Sequence, residues 1–268
     1  MKTFTFDNIS FSYRDEGTGR PIIFLHGLGG DVNQPFSYFP QGKGVRLISL
    51  DFRGHGQTRY FGDEEKFRFH VFARDVIALM DHLDIDSVII GGISTGAGVA
   101  LHIALNYPDR VEGLILSRVA WEDRPQEEKI QEAFKEIAEC VKQFGASEGK
   151  IKFQNSQLFF EFDELSPAVA ESLVKQFDYP YIEETFMKLI EIPQDAPNSD
   201  REEWRKITVP TLILANKIDI THPYRYGKLL SGYIQGSIFK EIPSKSVSNK
   251  LHQDVSKELI SEFLNNNF

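Results

Sequence analysis

Cysteine is almost absent from this 268-residue chain: the single one, Cys140, cannot close an internal disulfide, so neither a disulfide scaffold nor a CxxC redox pair is available. Its neighbours Ile137, Val141 and Phe144 recur at helical spacing and mark it as a packing residue on an apolar helix face. Long apolar runs are missing too. No stretch approaches the roughly 20 residues of a spanning helix, so no membrane span is expected. The segment Met1 to Phe6 alternates polar and apolar residues like a strand and lacks the continuous apolar core of a secretory signal. A cytoplasmic protein is the expectation. Positive charge is in deficit. With 30 Lys and Arg against 39 Asp and Glu the formal net charge is −9, and no cationic cluster could hold a row of phosphates, so nucleic acid is not an expected partner. The 7 histidines are scattered, with no HxxxH pair beside a carboxylate, so no metal site is expected. A small molecule is the expected partner, no cofactor is called for, and the chain leaves room for a homodimer.

What is present is an alternation of short β-branched runs with helical segments, the pattern of a mostly parallel sheet flanked by helices. Residues 21–25, 45–50, 87–91 and 111–116 are nearly continuous apolar runs, as strands covered on both faces should be. Between them, Val76, Ile77, Met80 and Leu83, and then Val99, Ala100, Ile103 and Ala104, are spaced as crossover helices. From Trp121 to Trp204 strand-like runs disappear and acidic, aromatic-rich, helix-favouring segments replace them. The first of these predicts a helix over about 126–144 that stops at Gly145. Strand character resumes at 211–215 and 237–242, and an amphipathic helix closes the chain. The domain reading is therefore a core of residues 1–118 and 205–268, split by a helical cap of residues 119–204 after the sixth strand.

The sharpest local signal is Gly92-Ile93-Ser94-Thr95-Gly96, a GxSxG directly after a buried strand and directly before a helix. A serine at such a turn is held in a strained conformation with its hydroxyl exposed above the sheet edge. A hydroxyl needs a base to act as a nucleophile, and the base needs a third group to fix it. Asp219, just past the strand 211–215, is the candidate acid, and His252, beyond the last strand, is the candidate base. His222 stands only three residues past Asp219, too close to reach around to it with the usual geometry. Asp123 is the rival acid. In the first glycine loop, His26-Gly27-Leu28-Gly29-Gly30, the amides of Leu28 and of Thr95 are the candidate oxyanion donors, and the His26 ring is expected to tie the loop down. Asp51 and Arg53 are expected to be scaffold.

These ordered motifs, together with Asp51-Phe52-Arg53-Gly54-His55-Gly56, resemble the α/β-hydrolase superfamily over nearly the whole chain, and its single-cap, esterase- or lipase-like members in particular. The resemblance implies an α/β fold whose cap roofs the pocket and a Ser94, Asp219, His252 triad cleaving a carboxylic ester or lactone of a small, partly apolar substrate through an acyl-enzyme. Two departures from the pattern stand out: no glycine precedes His252, and Ser117-Arg118-Val119-Ala120-Trp121 is an unusual cap entrance. Gly27, Arg118 and Trp121 are the candidate pocket residues. The cap aromatics, among them Phe153, Phe162, Phe177 and Tyr179, are expected to form mainly the cap's own core. The same triad also serves cofactor-free perhydrolases and lyases, and a ligand receptor of low turnover. An aspartate-nucleophile dehalogenase or epoxide hydrolase is argued against by Ser94 itself.

Overall fold

A computed structural model describes residues 1–39 and 44–268. The chain opens with an antiparallel ribbon, β1 (Lys2–Phe6) and β2 (Ile9–Gly17), joined through Asp7 and Asn8, both at positive φ as a tight hairpin turn requires. There follow β3 (Gly19–Leu25), the short α1 (Asn33–Phe36), β4 (Gly44–Leu50), α2 (Phe69–His82), β5 (Val88–Ile93), α3 (Thr95–Asn106) and β6 (Val111–Ser117). The helical stretch comprises α4 (Glu128–Gln154), α5 (Gln157–Leu165), α6 (Pro167–Val174), α7 (Ile182–Thr185) and α8 (Lys188–Gln194). β7 (Thr211–Ala215), α9 (Tyr224–Tyr233), β8 (Ile238–Glu241) and α10 (Asn249–Asn267) complete the chain.

The eight strands form one sheet in the order β1-β2-β4-β3-β5-β6-β7-β8; β2 runs antiparallel to both neighbours and every other pairing is parallel. This is the α/β-hydrolase architecture that the alternation predicts. Successive side chains of a strand enter opposite layers. Ile22 and Phe24 pack with Ile260 and Phe263 of α10, while Ile23 and Leu25 pack with Phe72 and Val76 of α2 and Val99 of α3. Two-sided burial explains why these strands read as unbroken apolar runs.

Gly145 does interrupt the first helix of the insertion, at φ 75° and ψ 174°, but the chain resumes helix at once and continues to Gln154. Glu183 accepts a hydrogen bond from the Ala146 amide at 2.8 Å, satisfying a donor that the break exposes. Cys140 is half-buried against the core. Among the described residues no helix is long and apolar enough to cross a membrane.

Candidate active site

Parallel strands deliver their following loops to one edge of the sheet, and ligands of such sheets bind there. At that edge Ser94 stands between the end of β5 and the start of α3, with φ 56° and ψ −114°. A non-glycine residue in this region is strained, and close packing holds it. A Cβ on Gly92 would come 2.3 Å from the Gly96 carbonyl carbon, and one on Gly96 would come 2.4 Å from the Leu25 oxygen, so both flanking glycines are sterically required. A Cβ on Gly27 would lie 3.3 Å from the Ser94 Cβ, which shows how closely the first glycine loop passes the serine. The His26 ring anchors that loop. Its Nε2 accepts from the Phe52 amide at 3.2 Å and its Nδ1 donates to the Gly27 carbonyl at 2.8 Å. Complete burial pushes its pKa down to about 4, so the ring is neutral.

Ser94 opens into a cavity of about 620 Å³ that is also lined by Gly27, Leu28, Arg118, Trp121, Asp219 and His222. Helical residues line it too, Phe134 of α4 and Val169 and Leu173 of α6 among them. The amides of Leu28 and Thr95 donate to no protein acceptor among the described residues. Thr95 is the first residue of α3, so its N–H has no intrahelical partner and adds to the positive end of the helix.

The Asp219 carboxylate is gripped from two sides. Asp219 Oδ2 accepts from Arg118 Nη2 at 2.9 Å and Nε at 3.1 Å, while Oδ1 accepts from the Thr221 hydroxyl at 2.9 Å and from the His222 amide at 3.2 Å. The His222 ring folds back over this turn and sets Nδ1 2.9 Å from the same Oδ1. Burial alone would raise the Asp219 carboxyl, but His222 and the Arg118 guanidinium prevail and hold it below the ordinary carboxylate range. Burial, joined by Arg118 at 3.1 Å from Nδ1, lowers the His222 imidazole below its usual value against the pull of Asp219.

Residues 20–147 match the alpha/beta hydrolase fold family. The chain is 29% identical to the AB hydrolase superfamily protein YisY of Bacillus subtilis, across 87% of each chain. The chain has the α/β-hydrolase fold. This hydrolase is also 27% identical to 3-oxoadipate enol-lactonase 2 of Acinetobacter baylyi, over 92% of its own length and 90% of that protein. Over 110 residues it is 36% identical to the dihydrolipoyllysine-residue acetyltransferase component of the acetoin cleaving system of Pseudomonas putida, of which it spans only 28%. Among solved structures, the enol-lactonase of Burkholderia xenovorans LB400 superposes with a TM-score of 0.76 at 22% identity, covering 98% of this chain and 100% of that one. That likeness speaks to the fold.

The hydrolase does not bring all the expected site residues together. Ser94, Asp219, Leu28, Gly27, Arg118 and Trp121 line one cavity, and Thr95 follows the serine as the first residue of α3. His252, expected between Asp219 and Ser94, lies within α10 and is fully buried away from the cavity lining. Its Nδ1 donates to the Pro243 carbonyl at 2.7 Å and its Nε2 accepts from the Tyr38 hydroxyl at 3.1 Å, so both ring nitrogens are occupied. The reason is local. Ser248 caps α10 and starts the helix before His252, which carries the ring under the helix instead of out on the loop.

The imidazole that meets Asp219 is that of His222, which the sequence reading set aside. Its spacing from Asp219 is no obstacle, because the chain turns tightly at Asp219 and the carboxylate bonds both the backbone and the ring of the third residue on. The Asp-x-x-His spacing, followed by Pro223, was the available signal. Asp123 is engaged by Arg201 at 2.6 Å instead. Of the insertion's aromatics, Phe153, Phe162 and Phe177 are buried in the same apolar cluster as β3, α2 and α3, and neither these nor Tyr179 lines the cavity.

Proposed function

We propose that this hydrolase cleaves a carboxylic ester or lactone of a small, partly apolar substrate, with Ser94 as nucleophile, His222 as base and Asp219 as the group that orients it. The observation that carries the reading is a strained serine at the head of α3, with two undonated amides beside it, in one cavity with an aspartate–histidine pair. With Nδ1–H directed to Asp219, His222 Nε2 is the acceptor for the Ser94 proton. The Oγ–carbonyl bond forms, and the oxyanion is stabilised by the Leu28 and Thr95 amides. The C–O bond then breaks as the leaving oxygen takes the proton from His222. Water, deprotonated by the same ring, releases the acid and restores Ser94. In a lactone the leaving alcohol stays tethered to the acyl group, and the product is one hydroxy acid. Hydrogen bonds between base and nucleophile are often long in unliganded sites and tighten with substrate, which fits the absence of one here.

Helices α4 and α6 serve in this reading as a cap that roofs the apolar part of the cavity. The relatives named as enol-lactonases give the lactone a place beside the ester. Hydrolysis of p-nitrophenyl esters from acetate to laurate tests the assignment. Turnover should fall by about 10⁴-fold or more in Ser94→Ala, with loss of labelling by a fluorophosphonate probe. An intact protein that neither turns over any ester nor takes the label would remove Ser94 as nucleophile.

A further inference from the structure

Five charged side chains line the cavity: Arg118, Lys175, Lys245, Glu171 and Asp219. Four are paired, Arg118 with Asp219 at 2.9 Å and Lys175 with Glu171 at 2.6 Å. Lys245 has no ion pair and no hydrogen bond among the described residues, and its Nζ lies 5.7 Å from the centre of the Tyr38 ring. It is the one charged side chain of this lining without a counter-ion among the described residues.

The position of Lys245 is built. It lies in the loop between β8 and α10, flanked by Ser244 and Ser246, whose hydroxyl oxygens are 2.8 Å apart. Ser244 also donates to the Ile218 carbonyl at 3.0 Å, which fastens this loop to the one that carries Asp219. Both serines and Asn249, the first residue of the 19-residue α10, line the same cavity. Burial, reinforced by Arg118, pushes the ammonium pKa down to about 7, the strain that an arriving anion would relieve.

We infer that Lys245 anchors a carboxylate of the substrate that is distinct from the acyl group Ser94 attacks, so that the substrate class is a half-ester or a carboxylated lactone of a dicarboxylic acid. This rests on the hydrolase reading above and adds to it the chemistry of the second end. A carboxylate fits better than a phosphate, because Asp219 and Glu171 in the same cavity would repel a second negative charge and the Arg118 fork is already filled by Asp219.

Calorimetric titration of the Ser94→Ala protein with monomethyl glutarate, dimethyl glutarate and inorganic phosphate separates binding from turnover. Monomethyl glutarate should bind, dimethyl glutarate and phosphate should bind more weakly, and adding Lys245→Met should weaken monomethyl glutarate by about tenfold or more while Lys245→Arg largely restores it. With Ser94 intact, the preference in kcat/KM for 4-nitrophenyl hydrogen glutarate over 4-nitrophenyl pentanoate should fall by a similar factor in Lys245→Met, through KM. Monomethyl glutarate affinity indifferent to Lys245 would overturn the inference, as would Lys245→Met stopping pentanoate turnover with monomethyl glutarate binding intact, which would make the lysine part of bond cleavage. Monomethyl glutarate binding that depends on Lys245 in a protein that hydrolyses no ester would keep the anchor and remove the hydrolase reading.

Discussion

The two histidines of the C-terminal region carry opposite predictions. His222 shares an oxygen of Asp219 and lines the cavity, so His222→Ala should lower kcat by about 10³-fold or more. His252 bridges Tyr38 and the Pro243 carbonyl, so His252→Ala should act on stability through the partners it strands, with the chemistry retained. Steady-state kinetics and urea denaturation on both variants decide between them, and loss of chemistry in His252→Ala alone would restore that residue as base. A base works unprotonated, and the His222 pKa lies below the ordinary imidazole value of 6.5. The acid limb of kcat/KM should therefore fall below pH 6.5, with activity lost as pH drops through it. Ser94 was legible because GxSxG encodes its own geometry: the glycines are there to admit a backbone that any Cβ would block. His222 was not legible, since whether a histidine three residues past an aspartate meets it depends on loop dihedrals, which leave no period in the sequence.

At the scale of elements, the parallel strands could be read directly because burial on both faces leaves only apolar residues. β2, Ile-Ser-Phe-Ser-Tyr-Arg-Asp-Glu-Gly, escaped the reading, for its second half turns polar where it meets solvent. The break at Gly145 was visible as a stop, but the continuation beyond it was not, because the stabilising contact from Glu183 lies 37 residues away. How the insertion is fastened to the core was also hidden. The Tyr179 hydroxyl donates to the Gly30 carbonyl and accepts from the Gly56 amide, both at 2.8 Å, while the buried Lys188 of α8 donates to the Gly54 carbonyl at 2.9 Å. One aromatic and one lysine thus lock the insertion onto both glycine loops beside the site. Tyr179→Phe strands an amide and a carbonyl and should cost about 1–3 kcal/mol, read as a shift of the urea midpoint. An unchanged midpoint would show that water replaces the hydroxyl without loss.

For the molecule as a whole, the number of buried histidines sets the response to acid. Burial holds His26 and His252 at about 4 and lowers His55, His102 and His222, each below an unfolded value near 6.5. Between those values the unfolded chain binds protons that the folded one refuses, so this contribution to stability is present above pH 6.5 and is lost as pH falls. Asp51 and Asp75 act with the opposite sign, since burial pushes both up to about 6 and the folded state takes their protons first. Lys188, buried and lowered well below the usual ammonium value, acts on the histidines' side. Each net proton that the folded state withholds is worth about 1.4 kcal/mol per pH unit. Typical domains have only about 5–15 kcal/mol in all, and unfolding should therefore begin in mild acid, before most surface carboxylates titrate. Urea midpoints at pH 7.5, 6.5 and 5.5 measure the slope directly. A stability that stays level across that range would mean that the buried rings open to solvent, and take up protons, without unfolding the chain.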